Sequence, residues 1–230
     1  YNDFVFAACF NYGLRIYDLK KPGMPAEISS CRTTNSKAID IVVYNDYAYL
    51  TDGNSLDVFD VSDPYNPKKT GNCEYSENLE NIYISGNYLF ALDMHGYFTI
   101  FDIFDPSSPV IAGSLDSESY NAKVLVNGNY AYVTSPDTHQ LKVFNIQNIS
   151  YPFLESFLNI GNVPWDLWWE GDNIVLYDHG GNLRLLDISN PVAPEEIGVS
   201  DKNLPCGEIY VEKNYIYTTH RGIVSIFDKT

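Results

Sequence analysis

The segment Leu56-Asp57-Val58-Phe59-Asp60 returns six times along the chain, and the spacing of its copies decides the fold. The other copies are Leu14-Arg15-Ile16-Tyr17-Asp18, Phe98-Thr99-Ile100-Phe101-Asp102, Leu141-Lys142-Val143-Phe144-Asn145, Leu183-Arg184-Leu185-Leu186-Asp187 and Val224-Ser225-Ile226-Phe227-Asp228. The closing Asp or Asn stands at 18, 60, 102, 145, 187 and 228, so the steps are 42, 42, 43, 42 and 41 residues. Repeats of this length built from short strands are typical of propeller blades.

Turn signals divide one repeat into four strands. Asn45-Asp46 and Asp52-Gly53-Asn54 favour tight hairpins, because these residue types tolerate positive φ. A proline-bounded turn at residues 63–67 ends the pairing of the third strand. The pattern predicts strand A at residues 39–43, strand B at 47–51, strand C at 56–61 and strand D at 68–73, with a polar loop leading into the next strand A.

Loop lengths predict which strands form the edges of each blade. The path from the outer edge of one blade to the inner edge of the next spans three strand spacings, or about 14 Å, which a two-residue hairpin cannot bridge. The longer D–A loop can, so strand A is expected to be innermost and strand D outermost. The D–A loops and B–C turns then share one face, which we call the loop face.

The repeat predicts an all-β fold: a single β-propeller domain over residues 1–230, with six blades of four-stranded antiparallel sheets. Strands B and C occur six times, whereas strands A and D occur five times. The first and last blades are therefore expected to be incomplete. Because a bare inner edge invites aggregation, we expect that the chain is part of a longer protein or that another segment fills the gap.

Composition argues against several classes of partner. The chain has 30 acidic and 14 basic residues and a formal net charge of −16. Nucleic-acid binding requires a basic patch, which this sequence lacks, and the same charge disfavours an anionic membrane surface. No run of 18 apolar residues occurs, so no direct membrane insertion is predicted. A charge of this sign and size helps to keep an extracellular protein soluble.

The four cysteines show neither a metal-binding nor a disulfide pattern. None of Cys9, Cys31, Cys73 and Cys206 forms a CxxC pair, so a zinc site of the usual spacing is not expected. Cys31 and Cys73 stand at equivalent points of neighbouring repeats, where outer strands diverge, which argues against a disulfide between them. Buried free thiols are predicted, and the redox compartment stays open.

The C strands and the turns that follow them resemble the LVIVD repeat. Its pattern is an apolar strand, Asp, an apolar residue, Ser-Asp-Pro, two residues and Pro. Residues 56–67 match it fully, and residues 183–194 match with Asn190 in place of the second Asp. The other copies depart at Phe104, at Lys20-Lys21-Pro22, and at Asn145 with Asn148-Ile149-Ser150. The resemblance implies a β-propeller in a bacterial or archaeal surface or secreted protein, with no shared catalytic motif.

Two columns of polar residues recur along the repeats. The closing carboxylates of the C strands are predicted to accept backbone N–H groups of the following turn, which is a structural role. The first polar residue of each strand A is expected to lie at the mouth of a central channel, where it either holds water or binds a cation or polar ligand. That column is Asp40, Asn81, Lys123, Asp166 and Glu208. Trp165, beside Asp166, is the best candidate for stacking on a sugar or on a partner's side chain.

All four histidines fall in or beside B–C turns, at His95, His139, His179 and His220. Acidic residues accompany them at Asp52, Asp93, Asp137 and Asp178. His and Asp are capable metal ligands. B–C turns of different blades lie well apart, however, so convergence of all four on one metal is not expected. Exposed polar turns are the alternative, and a pairwise site such as Asp178 with His179 stays open.

These observations predict a secreted or cell-surface module that binds a protein or glycan through its loop face without catalysis. No GxSxG, P-loop, HExxH or GxGxxG motif occurs. One alternative is a polysaccharide hydrolase or lyase that uses Asp40, Asp166 or Glu208. Another is a structural module of a larger surface protein. No cofactor is predicted, and a divalent cation at the channel mouth or the histidine-bearing turns stays open.

Overall fold

A computed structural model describes residues 3–21, 23–200, 207–220 and 223–228, and for residues 220 and 223 it describes the backbone alone. These residues form 22 strands arranged in six antiparallel sheets. The chain is therefore all-β, and its six sheets are the blades of a β-propeller, as the repeat predicts. Within this described part, no helix has the length and apolar character that a membrane span requires.

The strands group into two compact units, Tyr1–Asp116 and Ser117–Thr230. Blade 1 is β1–β2–β3, blade 2 is β4–β5–β6–β7 and blade 3 is β8–β9–β10–β11. The strands of this first unit are β1 (Phe4–Cys9), β2 (Gly13–Asp18), β3 (Ala26–Cys31), β4 (Ala38–Tyr44), β5 (Tyr47–Asp52), β6 (Ser55–Asp60), β7 (Lys68–Glu74), β8 (Leu79–Ser85), β9 (Tyr88–Asp93), β10 (Tyr97–Asp102) and β11 (Val110–Asp116).

The second unit contains blade 4 (β12–β13–β14–β15), blade 5 (β16–β17–β18–β19) and blade 6 (β20–β21–β22). Its strands are β12 (Lys123–Asn127), β13 (Tyr130–Ser135), β14 (Gln140–Asn145), β15 (Phe153–Asn159), β16 (Pro164–Glu170), β17 (Asn173–Asp178), β18 (Leu183–Asp187), β19 (Glu195–Val199), β20 (Ile209–Glu212), β21 (Tyr215–His220) and β22 (Ile223–Asp228).

The strand order confirms the predicted arrangement within each blade. Among the described residues, blade 1 has strands B, C and D, blade 6 has A, B and C, and the other four blades have all four. Strands A and D form the two edges of each complete blade. The A strands of successive blades are neighbours within each unit, since β4 contacts β8 in the first unit and β16 contacts β12 and β20 in the second.

The loop face is also confirmed by direct contacts. The D–A loop that follows blade 1 meets the B–C turn of blade 2, where Thr33 Oγ1 donates to Asp52 Oδ1 at 2.8 Å. The backbone N–H of Thr34 in the same loop donates to Asp57 Oδ2 at 2.8 Å. Both carboxylates are fully buried. D–A loops and B–C turns therefore share one face.

Adjacent blades pack through apolar side chains of their middle strands. In β6, residues 55–59 are all buried, so both faces of this strand are covered. One core cluster joins Leu14 and Ile16 of blade 1 to Ala48, Leu50 and Phe59 of blade 2. Fully burying a side chain of this size stabilises the fold by about 1.5–3 kcal/mol. A blade buries both of its apolar faces only when neighbours cover them.

The repeated acid that closes each C strand has the predicted structural role. Asp60 Oδ1 accepts the backbone N–H of Ser62 at 3.0 Å and the Ser62 hydroxyl at 2.7 Å. These hydrogen bonds lower the pKa of the exposed Asp60 carboxyl. The equivalent side chain accepts a backbone N–H two residues later in four other blades. These pairs are Asp18–Lys20, Asp102–Phe104, Asn145–Gln147 and Asp187–Ser189.

In the first unit, the D strands of blades 1 and 2 also contact the C–D turn of the next blade. Ser29 of β3 donates its hydroxyl to the carbonyl of Pro64 at 2.5 Å. At the equivalent point of β7, a Cβ added to Gly71 would lie 2.4 Å from the carbonyl oxygen of Pro106 and 2.9 Å from backbone atoms of Ser107. Only a residue without a side chain fits there. The C–D turn therefore fastens one blade to the outer strand of its predecessor.

The described cysteines are free thiols that are half-buried. The prediction of full burial is wrong for Cys9, Cys31 and Cys73, because two of them lie on outer strands with one side toward solvent. Cys31 Sγ donates to the Pro67 carbonyl at 3.3 Å, so it takes part in the same contact between blades. Burial raises the pKa of the Cys31 and Cys73 thiols. Cys206 lies outside the described residues.

We predict that Gly71→Ala lowers the free energy of unfolding by about 1–3 kcal/mol, because overpacking against a backbone carbonyl cannot be relieved by a rotamer change. Gly198→Ala is the matched control. Gly198 pairs with Leu185 as Gly71 pairs with Val58, but the nearest atom to its added Cβ is Leu185 Cβ at 3.9 Å. Its effect should stay within about 0.5 kcal/mol. Urea denaturation measures both, and equal midpoints for the two variants would contradict the prediction.

Candidate functional site

A β-bulge near the start of strand A shapes the loop face of three blades. The pairing register shifts between Ala38 and Ile41, between Leu79 and Asn81, and between Pro164 and Asp166. A bulge adds one residue that lacks a direct partner and redirects its side chain. In blade 5 that additional residue is Trp165. The sequence pattern predicts strand A but not this irregularity.

The predicted residues Asp40 and Asn81 meet in the first unit. Asp40 Oδ2 accepts the side-chain amide of Asn81 at 2.9 Å and the backbone N–H of Ile82 at 3.0 Å. Its other oxygen accepts the N–H of Ile41 at 2.8 Å. Asp40 is half-buried. This carboxylate therefore joins the A strands of two successive blades.

The second unit repeats this arrangement at Asp166. Its two carboxylate oxygens accept the N–H of Leu167 at 2.8 Å and the N–H of Ile209, in the next A strand, at 2.7 Å. The ammonium of Lys123 lies 3.7 Å from Asp166 Oδ1. Asp166 is only 3% exposed. Burial raises the pKa of its carboxyl, although Lys123 and the two N–H groups act in the opposite direction.

Glu208, the last member of the predicted column, is an exposed residue beside strand β20. Its backbone N–H donates to Thr219 Oγ1 at 3.4 Å. Its charge adds to the rise in the pKa of Asp166. Two groups result. Asp40 pairs with Asn81 in the first unit, and in the second Lys123 lies beside Asp166, whose pKa the charge of Glu208 also affects.

Trp165 lies on the loop face of the second unit beside the B–C turn of blade 5. Its ring centroid is 4.7 Å from that of His179, with the planes tilted by 41°. Trp165 is 37% exposed, and His179 is exposed as well. The backbone N–H of His179 donates to the Val163 carbonyl at 2.9 Å, which ties the turn to the strand that carries Trp165. The pair forms a small aromatic surface that solvent reaches.

Asp178, predicted as a partner of His179 in a metal site, accepts hydrogen bonds from residues that follow it in the chain. It is fully buried and accepts hydrogen bonds from the backbone and side chain of Asn182 at 3.0 Å and from Arg184 Nε at 2.8 Å. Burial acts to raise the pKa of Asp178, but these donors outweigh it and the pKa falls below its usual value. The carboxylate therefore holds the B–C turn in place.

The remaining histidines lie in different blades, His95 and His139 in turns and His220 at the end of β21. His95 Nε2 is 3.2 Å from Glu77 Oε2. His139 has a positive φ of 56° and donates its N–H to the Pro136 carbonyl at 3.3 Å. The side chain of His220 lies outside the described residues. Within the part of the chain that the structure describes, no three His, Cys, Asp or Glu side chains group so as to hold a metal ion.

The structure also reveals anchors of the loop face that sequence reasoning missed. In several C strands, the second residue of the five-residue repeated segment holds the preceding D–A loop. In blade 2, Asp57 accepts Thr34 N at 2.8 Å and pairs with Lys69 at 2.8 Å. In blade 4, the buried Lys142 donates to the Ser117 carbonyl at 2.8 Å and to Ser119 Oγ at 2.6 Å. Burial lowers the pKa of Lys142.

A sequence signal for these anchors exists. The second residue of the repeated segment is polar in every copy although apolar residues flank it, and its chemistry changes from one blade to the next. The residues are Arg15, Asp57, Thr99, Lys142, Arg184 and Ser225. A polar side chain inside a buried strand needs hydrogen-bond partners. The partners here belong to loops of variable sequence, so the repeat pattern alone does not identify them.

Solved structures share this fold at low sequence identity. A protein from Lactobacillus plantarum superposes with a TM-score of 0.82 at 12% identity, over 98% of this chain and 77% of that one. The periplasmic gluconolactonase of Pseudomonas aeruginosa gives 0.80 at 11% identity, over 97% and 77%. A functionally unknown protein from Desulfotomaculum acetoxidans DSM 771 gives 0.80 at 13% identity, over 98% and 74%. Such identities show a common fold and nothing about activity.

Comparison with curated protein sequences gives no match. The LVIVD repeat, in contrast, matches four segments, at residues 36–74, 78–117, 120–158 and 164–201. Each segment spans strands A to D of one blade, from blade 2 to blade 5. The four segments together cover more than half of the 230 residues. The chain therefore belongs to the LVIVD repeat family of β-propellers.

Proposed function

We propose that this propeller is a non-catalytic binding module of a secreted or cell-surface protein, and that it binds a glycan on the loop face of its second unit. The observation that carries the proposal is the exposed pair of Trp165 and His179, with ring centroids 4.7 Å apart. A protein partner at the same surface is the other ligand class that the sequence suggests. The geometry favours a glycan.

The chemistry of this surface suits a sugar ring. The indole of Trp165 offers a flat apolar face with a polar N–H at its edge. A sugar presents apolar C–H groups on one face and hydroxyls around its rim. Lys123 and the exposed Glu208 both lie close to Asp166, next along the strand to Trp165. A few polar groups beside an apolar platform are the usual composition of small-ligand sites.

The surface is also held in one conformation before any ligand arrives. Buried Asp178 fixes the B–C turn through Asn182 and Arg184, and Arg184 Nη1 in turn pairs with Glu196 Oε2 at 2.5 Å. His179 therefore has little freedom of backbone position. Pre-organisation of this kind strengthens binding because less conformational entropy is lost when the ligand docks.

The contacts of the acids argue against the hydrolase or lyase alternative. Both oxygens of Asp166 accept backbone N–H groups, and the same holds for Asp40. A general acid or base must exchange a proton with a substrate within hydrogen-bond reach. These carboxylates instead connect strands. The likeness to a gluconolactonase extends to the fold only.

The charge of the chain is consistent with the proposed setting. A net charge of −16 opposes nucleic acid and anionic lipid. Neutral glycans carry no charge that such a surface would repel. The proposed setting is secretion or surface display, and the proposed partner is a glycan. The following experiments test glycan binding.

We predict that Trp165→Ala weakens binding of a glycan selected on a glycan array by about tenfold or more, which corresponds to about 1.4 kcal/mol. Loss of the stacking surface is the reason. His179→Ala should weaken binding in the same direction. Isothermal titration calorimetry measures both. Tyr151→Ala is the matched control, because Tyr151 is 76% exposed in the same unit but follows strand C on the opposite face, and it should bind normally.

The outcomes separate the two ligand classes. Array binding that Trp165→Ala leaves unchanged would refute the site, and an array without any binder would refute the glycan proposal. A pull-down in which Trp165→Ala loses one defined protein while the array stays blank would assign the surface to protein binding instead.

We predict that Asp166→Asn lowers the free energy of unfolding by about 1–3 kcal/mol, because an amide cannot accept both buried N–H groups and one is left unpaired. Glu208→Gln is the control, since Glu208 is exposed, and its effect should stay within about 0.5 kcal/mol. Chemical denaturation checks both values. A substrate whose turnover disappears in either folded variant would establish the enzyme alternative.

A further inference from the structure

The C–D turn of blade 4 departs from the turns at the same place in its neighbours. The third residue after the closing acid of strand C is Asp63 in blade 2, Asp105 in blade 3 and Asn190 in blade 5, and proline follows each of them. Blade 4 has Asn148-Ile149-Ser150 there. It therefore combines a side-chain amide, a residue other than proline and a hydroxyl residue in consecutive positions.

This combination is the acceptor pattern for N-linked glycosylation, which is Asn-x-Ser/Thr where x is any residue except proline. Among the asparagines of the 230-residue sequence, Asn148 alone has Ser or Thr two residues later. The neighbouring turns miss the pattern, because Asp105-Pro106-Ser107 lacks the amide and Asn190-Pro191-Val192 has proline in the middle. Such a triplet also arises by chance, so its place in the fold decides whether it can act.

The turn keeps the hydrogen bonds of the repeat and leaves the amide nitrogen of Asn148 available. Asn148 Oδ1 accepts the backbone N–H of Ser150 at 3.2 Å, as Asp63 Oδ1 accepts that of Tyr65 at 3.0 Å. The Asn148 carbonyl accepts the N–H of Tyr151 at 3.0 Å. Nδ2 of Asn148 donates to no residue that the structure describes. The oxygen thus orients the side chain, while the nitrogen is the atom to which an N-linked sugar is attached.

The triplet is also accessible in the folded blade. Asn148 and Ser150 are both exposed, in the turn between β14 and β15. The N–H of Ile146 donates to the Asn129 carbonyl of the A–B turn at 2.8 Å, which places this C–D turn at the end of blade 4 opposite the loop face. A transferase can therefore reach the acceptor, and a sugar there would leave the loop face of blade 4 uncovered.

The strand that follows this turn is an apolar outer edge. In β15, Phe153, Leu154 and Phe157 are 51%, 46% and 51% exposed, and the strand contains no lysine. Strand β7, at the same position of blade 2, begins with Lys68-Lys69. Lysine on an outer strand hinders pairing with other chains. A bulky and solubilising group at Asn148 would give the start of β15 similar protection.

We propose that Asn148 is the acceptor of an N-linked glycan. In the reaction, Asn148 Nδ2 forms a bond to the anomeric carbon of a sugar that is carried on a polyprenyl phosphate or diphosphate. The bond between that carbon and the phosphate oxygen breaks, the lipid phosphate leaves with the electron pair, and the amide loses one proton. The hydroxyl of Ser150 is the group that the transferase recognises at the third position.

This inference rests on the proposed secreted or cell-surface setting, because the glycosyl donor and its transferase act on exported chains. It does not depend on the binding surface at Trp165 and His179, which lies on the loop face. The two proposals also concern different roles of glycans, since one is a ligand that binds reversibly and the other is a covalent modification.

The test examines the full protein as its own cells produce it. Chymotryptic digestion releases residues 145–153 as one peptide, because Pro152 protects the bond that precedes it. We expect this peptide to carry the mass of a glycan, which fragmentation in the mass spectrometer places on Asn148 and not on Asn145. Asn190, at the equivalent place of blade 5, should be unmodified and serves as the internal control.

Variants of the exported chain separate loss of the acceptor from loss of the fold. Asn148→Gln and Ser150→Ala should abolish the modification, whereas Ser150→Thr should retain it. Ile149→Pro should also abolish it, although it restores the proline that the repeat has at this position. The N–H of Ile149 donates to no other residue in the described part of the chain. The thermal midpoint of Ile149→Pro should therefore equal that of Asn148→Gln, which also lacks the glycan.

The outcomes distinguish this site from the proposed setting and from the binding surface. Protein recovered from the cell exterior with Asn148 unmodified would overturn the acceptor site and leave the setting intact. Protein found only inside the cells would overturn both. A glycan that persists in Ile149→Pro would overturn the assignment to Asn148. Trp165→Ala should be modified as the parent chain is, so a failure of glycan binding leaves this result unchanged.

Discussion

The rest of this structure depends on one constraint. The middle strands of a blade must be covered on both faces by neighbouring blades. In β6 five consecutive residues are buried, which requires an apolar neighbour on each side of the sheet. A single four-stranded sheet cannot satisfy that requirement, so blades stabilise one another in series.

Polar contacts then set the register between successive blades. Asp40 and Asp166 reach from one A strand to the backbone of the next, and Ser29 reaches from a D strand to the following turn. Apolar packing is tolerant of small shifts, but a hydrogen bond of 2.7–3.0 Å is not. Asp40 and Asp166, which the sequence offers as catalytic candidates, therefore serve to connect neighbouring strands.

The loop face combines fixed support with variable chemistry. Asp57, Lys142 and Arg184 of strands C hold loops or turns of this face. Above it, blade 5 presents Trp165 and His179 to solvent. The polar residue that holds the loop stands at the same register position in several blades, although its type changes. Each blade can therefore carry a different loop on the same framework. This separation allows a repeat protein to acquire a binding surface in one blade without disturbing the others.

The sequence by itself determined the blade boundaries, the turn positions and the role of the closing acid of strand C. Each of these is a local property, set by strand periodicity, by turn residues and by a carboxylate two residues from its partner. Tertiary structure decided what depends on neighbouring blades. Three features are of this kind: the bulge that exposes Trp165, the burial of Asp166 beside Lys123, and the contact of Gly71 with Pro106. They join residues that pair across strands or that lie about 35–43 positions apart in the chain. A repeat fixes the spacing of such residues along the chain, but only packing decides which side chains meet, because the closest contact is set by side-chain volume and strand register.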